Sequence, residues 1–154
     1  MEAIRIALSG IAAGTDIPEL ANEVESLHPK NDTFPGEVLL ELGADALELS
    51  GASRDEPVNY EGIRDRYLPE VDFGGRAQHQ KSHFALRAVA MIRAGVVPDL
   101  LEEVGWWRTD DLWLWSLYAL IIYVRIAAER RGESAAVVCA SLAAARQVPL
   151  GTMN

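Results

Sequence analysis

Apolar residues recur along this chain mostly at spacings of three and four, the period of a helix with one face in a core. Over residues 3–13, Ile4, Ala7, Leu8 and Ile11 share a helical face. Ile4-Arg5-Ile6-Ala7-Leu8 also alternates as a strand would, but Ala12-Ala13 extend the helical pattern and Gly14 supplies a stop. Thr15 or Asp16 caps a second helix, with Pro18 in its first turn and a stripe of Ile17, Leu20, Ala21, Val24 and Leu27; His28-Pro29 closes it. Pro35 starts a third helix that runs to about Ser50, before Gly51. Its apolar face holds Val38, Leu39, Leu42, Ala46 and Leu49, and Glu37, Glu41, Asp45 and Glu48 form an acidic stripe on the other side.

Residues 51–59 read as a loop, and Tyr60 to Leu68 as a short helix. Residues 74–95, bounded by glycines, read as one helix of about five to six turns at 3.6 residues per turn. Val96–Asp99 is a turn, residues 99–104 a helical turn or two, and Trp106-Trp107-Arg108 a loop with two indoles. Asp110-Asp111 then open the most apolar helix, in which Ser116 alone is polar from Leu112 to Val124. Thirteen residues at about 1.5 Å each reach ~20 Å, short of the ~30 Å of a bilayer's hydrocarbon core, and Arg125 interrupts any extension. This helix is therefore predicted as a core element rather than a membrane span. Gly132 breaks the chain, residues 134–146 form an alanine-rich helix, and the tail from about 148 to 154 is expected to fray.

The pattern predicts an all-α fold: one domain over residues 1–154, a bundle of about six to seven helices around an apolar helix near 110–130. That helix is expected to pack against the 84–94 half of the helix before it. A hydrophobic content of 49% over 154 residues suffices for such a core.

Charge refines the picture. Residues 1–60 carry twelve acidic and three basic side chains, residues 61–154 eleven of each, and the whole chain has a formal charge of −9. So acidic a surface repels phosphate backbones, which argues against duplex nucleic acid as a partner. Cys139 is the only cysteine and lies in an Ala/Val run, so no intrachain disulfide forms. The start, Met1-Glu2-Ala3-Ile4-Arg5, lacks the features of an export peptide, and a cytoplasmic location is expected.

The 74–95 helix contrasts with this acidity, with four basic residues and no acidic one. Arg76, His79, Gln80, His83 and Arg87 fall within an arc of roughly 100°. His79 and His83, one turn apart, are half of many metal sites; the remaining ligands of a divalent metal would come from Glu41, Asp45, Glu48, Asp110 or Asp111, with Asp45 and Glu48 the candidates. Gln80 stands where zinc peptidases place a glutamate, and Arg76 and Arg87 oppose a cation. Arg76 and His83 have the spacing of the arginine–histidine motif of HEPN ribonucleases, which are small and all-helical. The match spans eight residues, Ala77 replaces the usual polar residue after the arginine, and it assigns no family. All-helical nucleotide pyrophosphohydrolases hold magnesium on paired ExxE and ExxD motifs, of which only Asp45-x-x-Glu48 has a counterpart here. The bland account has Arg76, His79, His83 and Arg87 paired with the acidic stripe across a helix boundary.

The sequence therefore favours a helical module without catalysis, one that self-associates or binds another protein. The rival is an enzyme on a phosphate substrate, ribonuclease-like or a metal-dependent hydrolase. There Arg76, His79, His83 and Arg87 would be the catalytic set, with histidines moving protons and guanidiniums gripping anionic oxygens. No cofactor is implied beyond that reading's divalent metal, and no membrane partner.

Overall fold

The computed structural model describes residues 2–27, 34–53, 55–71, 76–95 and 112–150; for residues 34–35, 76–84 and 112–113 it describes the backbone alone. These residues form seven helices: α1 (Glu2–Ala13), α2 (Ile17–Ser26), α3 (Phe34–Ser50), α4 (Tyr60–Tyr67), α5 (Arg76–Ala94), α6 (Leu112–Arg131) and α7 (Ala135–Ala145). The fold is an all-α bundle, with no strand among the described residues. The helical turn expected at 99–104 and the indole loop at 106–108 lie outside the described residues.

α6 is the axis. Trp115–Leu117 and Ala119–Val124 are all buried, so the helix is covered around its whole circumference. Full burial of a side chain such as Leu120 or Ile122 stabilises the fold by about 1.5–3 kcal/mol relative to exposure. α3 makes the most extensive contact with α6, ahead of the expected partner α5, whose Ala85, Ala88, Val89 and Ile92 are buried. The Tyr123 hydroxyl donates to the Val89 carbonyl at 2.8 Å and ties the two helices together. α7 packs against α6 and, more broadly, against α1, and α2 is held through α1.

The ends of the helices follow local chemistry. After α1, the Gly14 N–H bonds the Ile11 carbonyl at 3.2 Å and the Thr15 N–H the Gly10 carbonyl at 2.9 Å. This is a Schellman closure, and the φ of +73° at Gly14 suits glycine. Asp16 occupies the α2 N-cap without a side-chain bond, whereas Asn59 and Ser134 accept from Gly62 and Val137 and cap α4 and α7. α6 runs on past Arg125 to Arg131, and Arg125 donates to the Tyr67 carbonyl at 2.6 Å, at the boundary with α4.

The expected fraying does not begin at 148. The Val148 N–H bonds the Ala143 carbonyl at 2.8 Å, Val148 is buried, and Leu150 packs on the core. Gln147 adopts φ 56° to make this closure, a left-handed position more often given to glycine.

Candidate functional site

α5 runs unbroken through Arg76, His79, His83 and Arg87, so these four residues belong to one helix. The side chains of Arg76, His79 and His83 lie outside the described residues; Arg87 is exposed. Among the described residues, no three histidine, cysteine, aspartate or glutamate side chains gather as a ligand set for a metal. The histidine half of the expected metal set falls outside them, and of its acidic half Glu48 is exposed and Asp45 is half-buried against a cation.

That cation is Arg146, at the C-terminal end of α7. Its Nε donates to Asp45 at 2.8 Å and its Nη1 to Glu41 at 3.1 Å. The paired carboxylates, Asp45 first, hold the guanidinium pKa above its ordinary value. The acidic stripe of α3 therefore meets a base at Glu41 and Asp45, supplied by α7. Asp45, Glu48 and Arg146 line a hollow of about 580 Å³ between α3 and α7, with Leu49, Ser141 and Ala145.

α7 presents an unusual outer surface. No residue from Ala135 to Ala145 is charged. Val138, Cys139, Leu142 and Ala143 face inward, whereas Val137, Ala140, Ser141, Ala144 and Ala145 are exposed. At ~100° per residue the exposed set forms one continuous stripe about 140° wide. Val137 keeps 47% of its surface exposed, one of two large hydrophobic side chains so exposed among the described residues. Burial pushes the Cys139 thiol up to about 12, which leaves it protonated and inert at neutral pH.

A third feature joins α4 to the end of α6. Arg66 pairs with Glu129, whose other oxygen accepts from the Tyr67 hydroxyl at 2.8 Å. Burial, with this acceptor adding to it, raises the Tyr67 pKa. Arg130 reaches Glu56 in the 51–59 loop at 3.2 Å. Arg66, Arg130 and Arg93 of α5 line one cleft of about 360 Å³ between the loop, α4 and α6. Spacing along the chain does not join Arg66 to Glu129, which lie 63 residues apart. The available signal was two arginines in the last turn of α4, on a helix too polar to be held by apolar burial alone.

No family model, no curated protein and no solved structure matches this chain.

Proposed function

We propose that the protein is a helical module that self-associates through α7. The observation that carries this reading is the uncharged stripe of Val137, Ala140, Ser141, Ala144 and Ala145 on a chain of net charge −9. Two copies so charged repel each other over most of their surfaces, and contact costs least where both are neutral. Alanine and serine at spacings of three and four let helix axes approach closely, and a two-fold axis makes one stripe complementary to itself. The stripe borders the α3–α7 hollow, which adds a recess to the contact.

The size of the contact sets its strength. Eleven residues at about 1.5 Å each give a ridge of ~16 Å. One such helix pair buries less than the ~1,200 Å² of a stable interface, so the association is weak and concentration-dependent. Light scattering on a sizing column over a concentration series is the test. The reading predicts a mass that rises from one copy towards two, and a return to one copy in Val137→Asp/Ala144→Asp with unchanged helical content. His79→Ala/His83→Ala should leave the association intact. A constant monomer at every concentration, or a dimer indifferent to the α7 substitutions, would refute it.

A further inference from the structure

The cleft between the 51–59 loop, α4 and α6 combines an apolar surface with basic residues, the make-up of many small-molecule sites. Its floor is aliphatic and aromatic, made by Leu47, Ile63, Tyr123 and Ile126. Leu47, Tyr123 and Ile126 are buried parts of the core, so this floor is held rigidly. Arg66, Arg93 and Arg130 line the cleft as well, with one lining carboxylate, Glu56. Three arginines lining one recess stand out in a chain whose net charge is −9.

We infer that this cleft binds a small amphiphilic organic anion: a carboxylate or phosphate head on a short apolar body. A volume of about 360 Å³ lies at the lower end of the ~300–1,000 Å³ of small-molecule sites, which suits a compact ligand. The guanidinium is planar and matches carboxylate and phosphate oxygens in pairs. The existing ion pairs do not bar such a head. Arg130 and Glu56 are 43% and 50% exposed and meet at 3.2 Å, and Arg66 pairs with Glu129 at 66% and 46% exposure. Pairs this open to water contribute little, so a ligand anion can replace or share them. Arg66 also stands over the Tyr67 ring, 5.3 Å from its centre, which limits where its head group can go. The apolar body then covers the half-buried Ile63 and removes it from water, a gain that neither phosphate nor a neutral alkane obtains together with the charge contact.

Titration of the ¹⁵N-labelled full chain with octanoate, octyl phosphate, 1-octanol and inorganic phosphate tests this. The inference predicts saturable shifts at Ile63, Tyr123 and Ile126 with octanoate, octyl phosphate or both, the tighter of the two identifying the head group. Octanol should bind at least ~10-fold more weakly, and phosphate alone should not saturate these positions. Arg66→Gln/Arg130→Gln, verified as folded by its melting curve, should weaken the octyl anions by ~10-fold or more while leaving octanol unchanged. Absence of saturable shifts with both octyl anions would overturn the inference. So would octanol binding as tightly as the anions in the unaltered protein, a comparison that needs no variant.

Discussion

Replacing Arg146 by methionine should destabilise the protein by about 1.5 kcal/mol. Methionine retains most of the apolar stem, so the loss is chiefly electrostatic. Arg146 makes two charge-assisted bonds, to Asp45 at 2.8 Å and Glu41 at 3.1 Å. Desolvated, each would contribute about 1.5–3 kcal/mol. The side chains are 32%, 34% and 45% exposed, in the order Arg146, Asp45, Glu41, and solvent screening reduces each bond to roughly 0.5–1 kcal/mol. Without the cation, Glu41 and Asp45 remain as like charges one helical turn apart, adding about 0.2–0.5 kcal/mol of repulsion. Urea unfolding followed by circular dichroism at neutral pH and low salt measures the difference. At about 1 M salt, where the Debye length is ~3 Å, much of the gap between the two proteins should close. A double-mutant cycle with Asp45→Asn should return a coupling of about 0.5–1 kcal/mol. A variant within ~0.3 kcal/mol of the parent, or a salt-independent gap, would show that Arg146 does not anchor α7 to α3.

Three further outcomes follow from the same coordinates. Ser116 is fully buried and its hydroxyl has no hydrogen-bond partner among the described residues, so Ser116→Ala should stabilise by about 1 kcal/mol in the same urea assay. Gln147→Gly removes a left-handed side-chain conflict at φ 56° and should raise stability by about 0.5–1 kcal/mol, read as a melting shift of ~1–4 °C. Cys139, raised by burial to about 12 from an ordinary 9.0, keeps its proton in the fold where the unfolded chain releases it. Its contribution is complete below pH 9.0 and is lost as pH climbs towards 12, by at most ~1.4 kcal/mol per pH unit. Cys139→Ala should flatten this part of the alkaline decline, and thiol reagents should leave the folded protein unmodified at neutral pH.

The helices were legible because each carries its own period. Ile4, Ala7, Leu8 and Ile11 outweighed a competing alternation and are all buried. The run after Leu112 named the core helix, because a segment without a polar face has nowhere to lie but between neighbours. What periodicity does not encode is which faces meet. The α3 acidic stripe was visible, but its base lies 101 residues from Asp45 along the chain, at the end of the alanine-rich helix. Likewise, α3 rather than α5 is the broadest partner of α6, a matter of topology that no local spacing reveals. The ordered closure after α7 was not legible because Gln147 fills a position where glycine would have announced the turn. Val148, apolar directly after the turn, was the overlooked sign of the hydrophobic contact that accompanies such closures.

If α7 joins two copies about a two-fold axis, its central residues Ala140 and Ser141 sit at the crossing, and Val137 of one copy lies beside Ala144 of the other. Isotope-filtered NOE spectra of a concentrated mixture of labelled and unlabelled protein measure this contact directly. The account predicts intermolecular cross-peaks between the Val137 and Ala144 methyl groups that vanish on dilution. Intermolecular peaks confined to another surface, or none at a concentration where light scattering reports dimer, would contradict it.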